Sequence, residues 1–216
     1  MMSRDHRFDL LVASSALLAI AGALLAPEAL LLHYVFKPLT TILLLVLVWR
    51  SPDPHGFRPW VMAGLVFSTL GDIALMLPVD AFVIGLGAFL LAHLAYIAAF
   101  ARRAAAIPVA WAALLYAALA AGVLTLLLPA VPAELRWPVI AYALVLAAMA
   151  ATALGASSIA GRRLALGGAL FVLSDGLLAW NRFVEPLPLA SLWVLASYWA
   201  AQWCIARSVA GGRGSG

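Results

Sequence analysis

Asp72 and Asp175 each interrupt an apolar run, in FSTLGDIALML (67–77) and FVLSDGLLAW (171–180). Lys37, the only lysine of the chain, lies in a third such run and His93 in a fourth. A charged side chain at the centre of a bilayer costs about 2.5–3.5 kcal/mol on insertion scales, so such residues face a partner or a cavity. One lysine cannot neutralise two carboxylates. Fully ionised in one dry pocket, the three would leave an unbalanced negative charge, and a single proton kept between the acids removes it. One Asp then holds that proton while the other stays ionised beside Lys37. That division separates a general acid from a base or cation stabiliser. The plainer reading is a structural ion pair between Lys37 and one of the acids.

Less costly polar residues accompany them. His33, Lys37 and Thr40/Thr41 fall on one helical stripe, and Gly64, Ser68, Thr69 and Asp72 on another whose small members admit a close neighbour. His93 and Tyr96 are three residues apart, and Tyr198 and Gln202 four. Asn181 and Arg182 follow Asp175 by about two helical turns, toward the headgroups. Each has a packing role as its simpler explanation: His93, Tyr96, Tyr198 and Gln202 as interhelical hydrogen bonders, Arg182 as an interfacial anchor. The tryptophans near run ends, Trp60, Trp137 and Trp180, read as interface belts.

The elements that must position these groups follow from composition. Of 216 residues, 66% are hydrophobic and 10% charged, where a soluble domain is about half apolar and about a quarter charged. The expected fold is all-α, a polytopic membrane protein of about eight spans: 10–26, 29–49, 59–77, 81–101, 107–128, 137–157, 163–181 and 188–207. Apolar residues run without alternation, which excludes a β-barrel. Short connections with Pro, Gly or charge, such as SPDPHGFRP (51–59), leave one domain over 1–208 and a flexible tail over 209–216. Asp72 and Asp175 lie on the third and seventh spans, in similar surroundings (LGDIALM, LSDGLLA), which suggests two parallel four-helix halves.

Charge sets orientation. Arg4, Arg7, Arg50, Arg58, Arg102, Arg103, Arg162, Arg163, Arg207 and Arg213 share one side, and only Arg136 and Arg182 the other. The positive-inside rule places both termini in the cytoplasm. Lys37, Asp72 and Asp175 then sit roughly 7–12 Å in from the opposite ends of their helices. Basic residues that mark topology give no support to nucleic-acid binding. The basic start and apolar stretch of the first span resemble a signal peptide; an uncleaved span is preferred, since removal would leave seven. Cys204 is the only cysteine, which excludes an internal disulfide. The spacing of His and Asp shows no metal pattern, so no metal or cofactor is expected. The Ala- and Arg-rich composition points to the plasma (inner) membrane of a bacterium. Oligomeric state is not legible.

KPLTT (37–41), FSTLGDIALML, GLGAFLLAHLAYIAAF (85–100), GALFVLSDGLLAWNRF (168–183) and YWAAQ (198–202) together resemble the YhhN-like family, which includes lysoplasmalogenases. The motifs occur in the family's order on the second to fourth and seventh to eighth spans. The resemblance implies an eight-span hydrolase that cleaves the vinyl ether of lysoplasmalogen, a lysophospholipid held in the membrane. The products would be a fatty aldehyde and glycerophosphoethanolamine or glycerophosphocholine. The family's polar signature falls on Lys37, Asp72, His93, Tyr96, Asp175, Asn181, Tyr198 and Gln202. Vinyl-ether opening needs an acid for the β-carbon, an anion facing the oxocarbenium ion and a positioned water, as in glycosidase carboxylate pairs. Asp72 and Asp175 fit those roles in either order, with Lys37 tuning the pair and His93 or Tyr96 orienting water. Arg182 and Asn181 suit the substrate phosphate. The alternative is a non-catalytic lipid or small-solute carrier whose acid–lysine cluster relays protons.

Overall fold

The computed structural model describes residues 4–210, so most of the expected tail, from residue 211, lies outside the described residues. Among the described residues the chain is helical throughout, with no strand. The helices are α1 (Arg4–Leu24), α2 (Leu30–Arg50), α3 (Arg58–Met76), α4 (Phe82–Phe100), α5 (Ala106–Leu127), α6 (Arg136–Ala160), α7 (Arg162–Phe183) and α8 (Ala190–Ser208). A single 3-10 turn, Ala133–Leu135, precedes α6. Local chemistry explains the boundaries. Asp53 accepts the Phe57 and Arg58 N–H groups at 2.7 and 3.1 Å ahead of α3, and Pro59 occupies its first turn. Gly161, at φ 89°, separates α6 from α7 in a conformation that suits a residue without Cβ.

The protein is a polytopic membrane protein. Among the described residues seven helices are long and apolar enough to cross a bilayer. The eighth, α8, has the same length as α3 and α4 but carries Ser197, Tyr198, Gln202 and Ser208, all buried. A helix wrapped by α1, α2, α3 and α7 does not need an apolar surface all round. Helix α1 starts six residues before the expected span. Its polar first turns are anchored by Asp9, which accepts hydrogen bonds from Trp203 at 2.8 Å and Arg207 at 2.5 Å on α8.

Packing repeats with an offset of four helices. The pairs α1–α2, α2–α3 and α3–α4 recur as α5–α6, α6–α7 and α7–α8, and α2–α8 recurs as α6–α4. The repeat breaks at the periphery. Helix α1 closes against α8, whereas its counterpart α5 packs on α6 and α7 and stands away from α4. Trp111, Leu114, Leu115 and Leu126 of α5 are accordingly exposed to the membrane.

Candidate active site

The repeat places each acid between the helix before it and the last helix of the other half. Asp72 on α3 meets α2 and α8; Asp175 on α7 meets α6 and α4. Around Asp72, Oδ2 accepts the Thr41 hydroxyl at 2.8 Å and the Tyr198 hydroxyl at 2.9 Å. Lys37 Nζ stands 4.0 Å from Oδ1. Asp72 is 2% exposed and Lys37 6%. Helix α2 bends its bonding here: Pro38 lacks an N–H, and the Thr40 hydroxyl turns back on the Phe36 carbonyl at 2.7 Å. The network continues through Gln202, whose Nε2 donates to Ser68 at 2.9 Å and Tyr198 at 3.3 Å. Its Oε1 accepts the Tyr96 hydroxyl at 2.6 Å. Tyr96 reaches this position because Gly64 leaves room; a Cβ there would clash with the Tyr96 ring.

Around Asp175 the partners differ. The Tyr142 hydroxyl donates to Oδ2 at 2.6 Å, and His93 Nε2 lies 3.3 Å from the same oxygen and 3.0 Å from Tyr142 Oη. Because the tyrosine proton is committed to the carboxylate, the network assigns the hydrogen to His93 Nε2. Nδ1 of this fully buried ring then has no partner among the described residues. No hydrogen bond from a described residue reaches Asp175 Oδ1.

The two carboxylates share no hydrogen bond, so the expected three-residue cluster divides. Lys37, Asp72, Tyr198, Gln202 and Tyr96 form one network; His93 and Asp175 form another with Tyr142. They meet at Phe171, whose ring centroid lies 4.7 Å from that of His93 and 5.6 Å from that of Tyr198. His33 of the second-span stripe turns instead to α1, at 3.0 Å from the Ala19 carbonyl. Thr69 hydrogen-bonds its own helix at Leu65.

The networks differ most in access. An apolar cavity of about 100 Å³ lies where α5 stands off α4, lined by Phe82, Phe89, Tyr142, Leu146, Asp175 and Phe183 among others. Asp175 is part of its wall; Asp72 is not. On α7 the lining runs from residue 172 to 183, so Asp175 lies near the inner end and Phe183 at the arginine-poor end of the bundle. Next to Phe183, Arg182 donates to Asp80 at 2.6 Å and lies 5.2 Å over the Phe82 ring. That hydrogen bond holds the Asp80 carboxyl below its ordinary range. Asn181 spends Oδ1 on the Leu187 N–H at 2.9 Å, closing the turn after α7.

Tyr142, in the Asp175 network, and Asp80, paired with Arg182, lie beyond the expected site residues, while Thr41 lay on the expected stripe with Lys37. Tyr142 lies in α6, a helix that reads as apolar filler. Its signal was a tyrosine hydroxyl inside a span, which needs a partner there.

The sequence profile of the YhhN family matches residues 32–209, from early α2 to the end of α8. The chain belongs to the YhhN family. The match includes every residue of both networks and leaves out the whole of α1. Among curated relatives of this YhhN-family protein, human lysoplasmalogenase TMEM86B is 38% identical over 173 residues, covering 80% of this chain and 73% of the human protein. A lysoplasmalogenase of Mycobacterium bovis is 35% identical over 188 residues, covering 79% and 69%. The uncharacterized membrane protein YhhN of Escherichia coli O157:H7 is 44% identical over 71 residues, a third of either chain. No solved structure matches this chain.

Proposed function

We propose that this YhhN-family protein hydrolyses the vinyl ether of lysoplasmalogen, releasing a fatty aldehyde and glycerophosphoethanolamine or glycerophosphocholine. The observation that carries this reading is a carboxyl group, Asp175, with one uncommitted oxygen on the wall of an apolar cavity, in a chain similar to proteins named lysoplasmalogenases. The cavity is large enough for the reacting ether and its first carbons; the rest of the chain lies between α4 and α5 toward the bilayer.

The charge count favours Asp175 over Asp72 for proton transfer. Lys37 balances Asp72 locally from 4.0 Å, Oδ2 of Asp72 already accepts two hydroxyls, and Asp72 does not line the cavity. Asp175 begins the cycle protonated and passes its proton from Oδ1 to the β-carbon of the alkene. The C=C pair forms the new C–H bond, and positive charge spreads over the α-carbon and ether oxygen. The carboxylate left behind faces that cation and is stabilised by Tyr142 and His93, whose hydrogen bonds strengthen as the oxygen gains charge. Water adds to the α-carbon and returns a proton to Asp175. The hemiacetal then collapses to aldehyde and the free glycerol hydroxyl. Asp72, Lys37, Tyr198 and Gln202 act as positioning residues that fix α2, α3 and α8 behind Phe171.

Both termini lie in the cytoplasm under the arginine distribution, which puts the cavity mouth at the opposite leaflet. The test is aldehyde release by purified protein in detergent, from 1-alkenyl and 1-acyl lysolipids of equal chain length. Release from the vinyl ether alone is expected. No aldehyde from it, with ligand movement across liposomes, would instead indicate a carrier.

A further inference from the structure

We infer that Asp80 and Arg182 form a recognition site for a zwitterionic headgroup, Arg182 taking the phosphate and Asp80 the ammonium. The inference rests on the proposed hydrolase reading for its substrate and adds the residues that select it. Three observations carry it.

The first is position. Arg182 follows Asp175 by seven residues on one helix, about 10 Å along the axis at about 1.5 Å per residue. In a lysoplasmalogen the vinyl β-carbon and the phosphorus are separated by seven bonds. That span is about 8 Å extended, by the arithmetic that gives about 3.5 Å per three backbone bonds. With the alkene at Asp175, the phosphate reaches the Arg182 side chain. The only other arginine at this end, Arg136, is tied to the Val131 carbonyl at 3.3 Å on a different helix.

The second is charge geometry. Arg182 and Asp80 are paired at 2.6 Å, a cation and an anion side by side next to Phe82 and Phe183 of the cavity lining. A phosphoethanolamine or phosphocholine headgroup carries the complementary anion and cation a few bonds apart. Exchanging the internal pair for two external ones leaves no charge unmatched, whereas a headgroup with phosphate alone strands Asp80.

The third is exposure. The Arg182 and Asp80 side chains are 44% and 67% exposed. Pairs this open are screened by water and contribute little, so the contact opens readily. Phe82, over which Arg182 lies, packs edge-on to Phe183 at 5.4 Å, and both rings line the cavity. The polar pair and the apolar chamber are therefore continuous.

The experiment compares KM for 1-alkenyl glycerophosphoethanolamine, 1-alkenyl glycerophosphocholine and 1-alkenyl glycerophosphate, which lacks the amine. Asp80→Asn is expected to raise KM about fivefold for the two amine-bearing substrates, with kcat unchanged and the glycerophosphate KM the same or lower, since no acid is then left stranded. Asp80→Glu should keep the preference, and Arg182→Gln should raise all three KM values. Glu185→Gln, on the neighbouring connection, serves as the control. If the pair only staples the α3–α4 connection to α7, the exchange variant Asp80→Arg/Arg182→Asp restores wild-type KM values. Headgroup recognition predicts that they stay raised. Equal effects of Asp80→Asn on all three substrates, or none, overturn the inference. A binding arm separates it from the hydrolase reading: intrinsic fluorescence titration with lysophosphatidylethanolamine against lysophosphatidic acid of the same chain. Loss of the ethanolamine preference in Asp80→Asn, without aldehyde from any substrate, sustains recognition and removes the hydrolase. Aldehyde release without any headgroup preference does the reverse.

Discussion

Replacing Tyr142 by phenylalanine removes one oxygen and leaves the ring in place. The lost hydroxyl donates to Asp175 Oδ2 at 2.6 Å and stands 3.0 Å from His93 Nε2. Its effect depends on when the carboxyl is charged. A hydrogen bond to a neutral acceptor contributes about 0.5–1.5 kcal/mol and one to a charged group about 1.5–3. As Asp175 passes from acid to carboxylate, the bond gains roughly 1–1.5 kcal/mol. At about 1.4 kcal/mol per decade, kcat should fall about 5- to 10-fold in Tyr142→Phe. KM should change by less than about twofold, because the interaction strengthens only on the way to the transition state. Aldehyde release coupled to a nicotinamide-dependent aldehyde reductase reads both constants, and a thermal unfolding curve checks that the variant is folded. An unchanged kcat, or a loss confined to KM, refutes the assignment of Tyr142 to the reacting carboxyl.

Two further outcomes test the positioning network. Asp72→Asn leaves the buried Lys37 ammonium without its counter-charge, which should destabilise the protein by about 3–5 kcal/mol and lower its unfolding midpoint in detergent. Adding Lys37→Met should recover much of that stability together with measurable turnover; continued inactivity of the folded double variant would assign Asp72 to the chemistry itself. Gly64→Ala drives a methyl group against the Tyr96 ring and should cost about 1–3 kcal/mol, lowering the unfolding midpoint. Gly87→Ala on α4, where nothing lies within 4 Å of the new Cβ, should leave the midpoint unchanged or higher.

Helix boundaries were legible because apolar runs, Pro and Gly carry them. Every span except the first begins and ends within three residues of its expected limits. The first begins early because its polar turns are held by α8 through Asp9, a contact between opposite ends of the chain that no local pattern encodes. Helix α8 was legible from YWAAQ, although its mean hydropathy is lowered by side chains that face protein. The polar inventory was also readable, since burying Asp, Lys or His without a partner is expensive. Its partition was not. Electroneutrality grouped Lys37 with both acids, yet which acid it meets depends on which helices are neighbours. The four-helix offset sends Lys37 and Thr41 to Asp72, and Tyr142 and His93 to Asp175. Access was equally hidden, because the cavity exists only where α5 departs from the repeat.

In the proposed reaction Asp175, on the cavity wall, delivers the proton. Asparagine is nearly isosteric and cannot donate a proton to carbon. Single-turnover aldehyde release from 1-alkenyl glycerophosphoethanolamine by folded Asp175→Asn should be slower than wild type by about 10²–10⁴-fold, the range of general acid catalysis. Release at the wild-type rate would show that Asp175 is not the acid.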